Sequence, residues 1–264
     1  MRKFDDPVSI RIGQLKAEGK KIISPSLIIG LEGCARKSFY KNIMKLPEDK
    51  NKYLVGGTNA HTVVETFVEY YKSNPTSSLL TSQAVIEEIF NLHWDVPREL
   101  GLNDKEREKM RKVYLKKCQG WLNVWHTTEK GAHIITEEHV INEDLMLHGF
   151  IDRKELFDNE IWITDMKTSK DAAISNKYKL QLLYYILMDK WCNPTNKKYR
   201  IFLDFFDQGK LEVPYDNDDL EIAKDKALQT HKFMLEAGQD IKKYPRGFDY
   251  CASCPYKDRC FQEG

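Results

Sequence analysis

The sequence carries almost no net charge: 41 Lys and Arg stand against 40 Asp and Glu, giving +1 over 264 residues. Binding to nucleic acid through the overall field is thereby excluded, so any such surface has to come from local clustering. Long apolar runs are missing too. No stretch approaches a membrane span, and the N-terminus, MRKFDDPVSI, lacks the apolar run of a signal peptide. A cytoplasmic protein with no membrane partner is the expectation. There is no Pro/Gly/Ser-rich linker, clear repeat or low-complexity tract, so residues 1–264 read as one domain whose two ends return to each other. What is present is ordinary globular composition, 41% hydrophobic and 31% charged, enough for a normal core. Six cysteines in a reducing compartment point to metal binding or burial, not to disulfides.

Along the chain, Ser24-Pro25-Ser26 reads as the cap of a short helix running toward Cys34 and Tyr40. Gly56-Gly57-Thr58-Asn59 reads as a turn before a helix over 60–72, with Ala60, Val64, Phe67 and Tyr71 on one apolar stripe. Further helices are predicted over 81–95 and 104–127, the latter with Met110, Tyr114, Cys118, Trp121 and Trp125 at helical spacing. The basic run Lys105, Arg107, Lys109, Arg111, Lys112, Lys116 and Lys117 interleaves with Glu106 and Glu108. It reads better as a solvated helix face than as a DNA surface. The period then changes. Strands are predicted over 133–141, 144–157, 161–167 and 199–206, with a helix over 174–191, a hairpin turn at 207–210, an edge strand ending at Pro214, and a last helix over 217–237. This order gives an α/β or α+β domain with one central mixed sheet.

The segment Ile161-Trp162-Ile163-Thr164-Asp165-Met166-Lys167-Thr168 is the most informative. Residues two apart on a strand share a face, so Asp165 and Lys167 point the same way. Asp152 lies near the end of the preceding strand, and hairpin pairing would set it beside Asp165. Two carboxylates that close repel unless a cation separates them, and oxygen ligands suit Mg²⁺ or Mn²⁺. The Lys167 ammonium beside them would orient a water or stabilise a pentavalent phosphorane, and a metal would add Lewis acidity. The alternative is a surface salt bridge between Asp165 and Lys167. His61 and Glu65 share a helix face at i, i+4; a neutral His61 imidazole is a third candidate ligand, or else a hydrogen-bonded, partly buried histidine. Gln181 and Tyr185, also at i, i+4, would turn their polar tips one way while Leu180, Leu183, Leu187 and Trp191 face the core. At the C-terminus, Cys251, Cys254 and Cys260 form C-x2-C-x5-C, one thiolate short of a tetrahedral or cubane site. Cys34 is a plausible fourth ligand, and such a closure would act as a long-loop crosslink. Zinc or free thiols are the alternatives, while Cys118 and Cys192 read as buried side chains.

Taken together, these residues resemble the RecB-like branch of the PD-(D/E)XK nuclease superfamily, and within it the CRISPR-associated RecB-like exonucleases, their viral relatives and the AddB nuclease domain. The resemblance rests on Ser26 and Cys34, then Gly57-Thr58 with His61, Gly149 with Asp152, Asp165 with Lys167 and Thr168, Gln181 with Tyr185, and finally Cys251, Cys254 and Cys260. It spans most of the chain; the helical stretch 73–130 follows no motif of the family and reads as an insert. The resemblance implies a restriction-endonuclease-like core with a clasp made by 244–264 and Cys34. It makes His61, Asp152, Asp165 and the main-chain carbonyl of Met166 ligands of Mg²⁺ or Mn²⁺, and Lys167 the catalytic lysine. Gln181 and Tyr185 would orient the site or the DNA. The four cysteines would hold a structural 4Fe–4S cluster, favoured over Zn²⁺, beside a channel for single-stranded DNA in which aromatic residues stack on bases. The expected activity is exonucleolytic, on single-stranded DNA ends with 5′-to-3′ polarity favoured and some endonuclease activity. The setting would be a prokaryotic or virus-infected cell, with a recombination or CRISPR-adaptation partner. A non-catalytic DNA-binding adaptor of the same fold and a zinc-stapled interaction protein are the competing readings.

Overall fold

The computed structural model describes residues 6–48, 51–75, 78–169, 172–247 and 251–263. The first five residues of the N-terminal segment and residues 248–250 of the Cys-rich tail lie outside the described residues. The helices are α1 (Pro7–Ala17), α2 (Pro25–Ser38), α3 (Lys52–Ser73), α4 (Leu79–His93), α5 (Asp104–Thr127), α6 (Asn176–Cys192), α7 (Asn217–Ala237) and α8 (Lys257–Gln262). The strands are β1 (His133–Asn142), β2 (Leu147–Leu156), β3 (Glu160–Lys167), β4 (Lys198–Phe205) and β5 (Gly209–Glu212).

The strands form one mixed sheet in the order β1-β2-β3-β4-β5. Only β3 and β4 run parallel, joined through α6; the other pairs are antiparallel. A parallel pair needs such a crossover, whereas hairpins close with short turns. Residues of α2, α6 and α7 share one buried cluster with Ile151, Ile161, Ile163 and Leu203 of the strands. Residues of α3, α4 and α5 build a second cluster with Ile134, Met166 and Phe206. The central sheet flanked by helices thus matches the class expected from the order of elements.

Local chemistry sets the helix ends. Ser24 Oγ accepts from Leu27 N at α2, and Asn103 with Glu106 forms a reciprocal capping box at α5. One expectation fails. Gly56-Gly57 is not a turn, since α3 begins at Lys52 with Asn51 as its cap and runs straight through both glycines. The glycines answer to packing: a Cβ at Gly56 would fall inside the Tyr114 ring, and one at Gly57 would meet Thr168 Oγ1 at 3.1 Å. Two smaller corrections concern single residues. Met146 is not part of β2 but sits in the preceding turn with φ +50°, and Trp191, placed in the core by its spacing, is 38% exposed at the end of α6. The sequence-based stripe on α5 holds, with Met110, Tyr114, Cys118, Trp121 and Trp125 all buried. Trp121, Trp125 and Phe67 stack edge-on or face-on at 5.5–6.2 Å. Each such ring contributes about 1.5–3 kcal/mol through burial.

Candidate active site

The β2–β3 ladder pairs Arg153 with Thr164 and goes no further toward Asp152. By the same register Asp152 lies opposite Asp165, and Asp152 Oδ2 accepts the Met166 N–H at 2.8 Å. The carboxylate thus takes over a ladder hydrogen bond where the strands part. On β1 the facing position, Glu137, has φ +48°, and the β1–β2 pairing skips that pair between Thr136–Arg153 and Glu138–Ile151. The alternation of faces slips at this point. Ile151 packs in the cluster with α6, whereas Arg153, two residues on, lies 6.0 Å from the Trp121 ring and donates to Asp204 at 3.0 Å. The slip lets Asp152 meet groups from both layers.

From α3, the His61 Nδ1 approaches Asp152 Oδ2 to 3.9 Å, and its ring stacks on Phe206 with centroids 5.8 Å apart. On the α6 side, Lys167 Nζ pairs with Asp165 Oδ2, donates to Gln181 Oε1 at 3.3 Å, and sits 4.5 Å from the centre of the Tyr178 ring. Gln181 Nε2 in turn donates to Tyr185 Oη at 2.7 Å. The helical spacing brings 178 and 181 to the lysine and sets 185 behind Gln181. The predicted catalytic residues therefore meet at one place: His61, Asp152, Lys167, Gln181 and Tyr185 line a cleft of ≈ 2100 Å³ between α3, α5, α6 and the β1–β2 edge, and Asp165 lies buried behind Lys167.

Burial dominates the electrostatics. Asp165 is 2% exposed. Burial, opposed by Lys167 and reinforced by the nearby Asp152, pushes its carboxyl up to about 6. Burial also raises Asp152, against the pull of the Met166 N–H. His61 is lowered by burial, so its imidazole is neutral at pH 7 and free to donate a lone pair. For Lys167 burial works downward, but the Asp165 charge and contact outweigh it and hold the ammonium protonated. The two carboxylates and the neutral imidazole make a donor set suited to a divalent cation, with the Lys167 ammonium standing beside it. Asp165 Oδ2 makes no hydrogen bond besides that ion pair.

A family model of the PD-(D/E)XK nuclease superfamily matches residues 22–261. The chain belongs to the PD-(D/E)XK nuclease superfamily. That membership carries metal-dependent nuclease activity, with divalent metals such as Mg²⁺ as cofactors. No curated protein matches the sequence. Among the described residues no helix is long and apolar enough to cross a membrane, and no group of three or more His, Cys, Asp and Glu side chains closes into a ready-made metal cage. In the cleft the reason is visible: Lys167 reaches onto Asp165, and His61 stands off Asp152.

The cysteines are unpaired. Cys34 sits at a break in α2, with φ −156° and ψ 103°. Its Sγ accepts from Gly247 N at 3.3 Å and Lys37 N at 3.4 Å. The Cys251 Sγ donates to Gly247 O at 3.3 Å, so two of the four sulfurs flank one residue. Cys254 and Cys260 pack along the edge of the α6-side core. The chain ends are joined independently of any metal. Arg36 Nε donates to Tyr244 O at 2.8 Å, Tyr40 Oη to Glu263 at 2.7 Å, and Tyr256 Oη to Leu46 O at 3.0 Å. Cys118 is buried as expected, while Cys192 is half-buried and donates to Ile141 O at 3.1 Å.

Several residues of the cleft escaped the sequence reading. Lys117, taken as part of a solvated face, is 5% exposed; it donates to Thr168 O at 2.9 Å and Asp207 Oδ2 at 2.5 Å. The strand end that carries Lys167 is therefore tied to α5. Lys117 falls one turn after Tyr114, beside the apolar stripe, and that spacing was its signal. Lys109 also lines the cleft, as do Tyr53 at the start of α3 and Tyr178, which sits one turn before Gln181.

Proposed function

We propose that the chain, acting as one unit over residues 1–264, is a divalent-metal-dependent deoxyribonuclease of the RecB-like branch. It removes nucleotides from ends of single-stranded DNA, in the 5′-to-3′ direction. The observation that carries this reading is the convergence of Asp152, His61 and Lys167 in one open cleft, with the buried Asp165 paired to Lys167 behind them. His61, Asp152, Asp165 and the Met166 carbonyl would hold Mg²⁺ or Mn²⁺. When bound, the cation supplies Lewis acidity and a more acidic water. Lys167 presents its ammonium to the charge that builds on the phosphate oxygens. Gln181 holds that ammonium in place and is itself fixed by Tyr185, while the half-buried ring of His61 is braced on Phe206.

Cys34, Cys251, Cys254 and Cys260 are assigned to a structural 4Fe–4S cluster. The two N–H groups aimed at the Cys34 sulfur and the shared approach of Cys34 and Cys251 to Gly247 support this assignment. The nuclease reading is tested by incubating labelled single- and double-stranded DNA, with 5′ or 3′ ends blocked, in Mn²⁺ beside a Lys167→Ala control. Loss of at least about 100-fold in rate is expected for the variant, an order typical of removing one preorganised charge. Cleavage that survives in Lys167→Ala moves the site elsewhere, and no cleavage by either protein favours an adaptor.

A further inference from the structure

Helix α3 borders the cleft over much of its length, and the cleft is electrically lopsided along it. Tyr53 lies about 12 Å to one side of His61 and Glu69 about 12 Å to the other, at about 1.5 Å per helical residue. On the Tyr53 side the lining contributes Lys52 and Lys109; Glu106, on the same wall, is taken up by the α5 cap, accepting from Asn103 N at 3.0 Å. Beyond His61 the lining carboxylates include Glu65, Glu69 and Glu137, of which Glu69 also pairs with Lys72 at 2.9 Å and accepts from Thr136. The active-site groups stand where the sign changes.

The basic half also carries an exposed aromatic on a fixed backbone. Tyr53 is 70% exposed and its neighbour Leu54 57%. Yet Asn51 Oδ1 accepts from both their N–H groups at 3.0 and 2.9 Å, and the Tyr114 hydroxyl donates to the Tyr53 carbonyl at 3.3 Å. Lys52 Nζ hovers 5.4 Å from the ring centre. A solvent-facing ring on an anchored backbone, next to lysines at the mouth of a cleft, is the combination that grips single strands: bases stack on the ring and phosphates meet the ammonium groups. Duplex bases are already stacked and offer no free face to it.

We propose that one DNA strand lies along the basic half of the cleft with a base stacked on Tyr53 and phosphates facing Lys52 and Lys109, while the acidic half keeps the strand from running on past the cleavage point. This rests on the nuclease reading and deepens it. A strand that can occupy only one side of the site has to present an end, and the short piece cut off meets carboxylates that hasten its departure.

The test uses the full chain in EDTA, a dye-labelled oligothymidylate and a labelled duplex, read by fluorescence anisotropy at low salt. Tyr53→Ala should weaken single-strand binding about tenfold, Tyr53→Trp should restore it, and duplex binding should change less than about twofold. Because the ring faces solvent, the thermal midpoint of Tyr53→Ala should match wild type, which separates a lost contact from a lost fold. Separately, Glu69→Lys should let the protein in Mn²⁺ nick circular single strands that wild type spares. Wild-type affinity in Tyr53→Ala, or equal losses for strand and duplex, overturns the stacking site, and circles that stay intact with Glu69→Lys overturn the acidic stop. If wild type cleaves nothing while Tyr53 still governs binding, the nuclease reading falls and the strand site stands.

Discussion

Replacing Asp165 by Asn should make the metal-free protein more stable at high pH, although it removes a charge that is paired. The carboxyl is raised from 3.8 to about 6, by burial first, then against Lys167 and with Asp152. A tenfold change in proton affinity is worth about 1.36 kcal/mol, so ionised Asp165 costs the fold about 3 kcal/mol. The sign follows from linkage: the folded state binds this proton more tightly than the unfolded chain. The contribution to stability is therefore present below about pH 4 and lost as pH rises through about 6. Asn cannot ionise, so the penalty disappears; Lys167 keeps Gln181 and the Tyr178 ring as company. Urea unfolding in EDTA should find the two proteins alike near pH 4 and Asp165→Asn ahead by about 2–3 kcal/mol at pH 8. Mg²⁺ at about 1,000 times its Kd should reverse the order, since that stabilises the wild type by about 4.1 kcal/mol and the variant has lost a donor. An Asp165→Asn protein that is less stable than wild type at pH 8 without metal would refute the reasoning, because the carboxylate would then be a structural asset and not a held-ready ligand.

Other sites make sharper structural demands. Asp189 is fully buried and accepts from Lys154, Tyr199 and Asn193 at 2.8 Å each. Asp189→Ala leaves the buried Lys154 ammonium with Glu138 alone and the Tyr199 hydroxyl without its acceptor, and should cost about 3 kcal/mol in a urea melt, with no change in the metal dependence of cleavage. Gly56→Ala drives a methyl into the Tyr114 ring and should cost about 1–3 kcal/mol as overpacking between α3 and α5. The loss should shrink in a Gly56→Ala, Tyr114→Leu double variant. Cys260→Ala, purified without oxygen, should lose broad visible absorbance and melt at lower temperature; a colourless, stable and active variant would count against the cysteine clasp.

Much of this was legible from period and spacing because those signals report local geometry. Helix α5 matched its expected bounds, since a capping box and a stripe of large apolar residues are both written in neighbouring positions. The same holds for α7, whose bounds follow from its Asp216–Asp219 cap. The Asp165–Lys167 pair was readable because strand alternation is strict along β3, where Ile161 and Ile163 enter the α6-side core and Met166 the other. Gly56-Gly57 misled for a related reason. Two glycines ordinarily break a helix, and only the Tyr114 ring, some sixty positions downstream, explains why they sit inside one. Lys117 was misjudged because a lysine one step off an apolar stripe looks solvated until its partner, Asp207, is brought over by the β4–β5 hairpin.

What no spacing rule could supply is the slip of the sheet at Glu137 and Asp152. Counted from the Arg153–Thr164 pair, Asp152 falls on the α6 face beside Asp165, as hairpin pairing leads one to expect; counted from Ile151 it falls on the α3 face, and only a slip lets it reach both. The left-handed turn of the backbone at Glu137 and the ladder that stops at Arg153–Thr164 open the sheet at that level. Asp152 can then take the Met166 N–H and lie beside Asp165 while still facing His61. A non-glycine residue with positive φ inside a strand costs about 1–3 kcal/mol and persists only where its surroundings enforce it. Here that cost falls at the one level of the sheet where side chains from both helical layers have to meet. Glu137→Gly should relieve it, raising stability without metal. If the strain is what aligns the acids, the same change should lower cleavage at subsaturating Mn²⁺ and leave the rate at saturating metal closer to wild type.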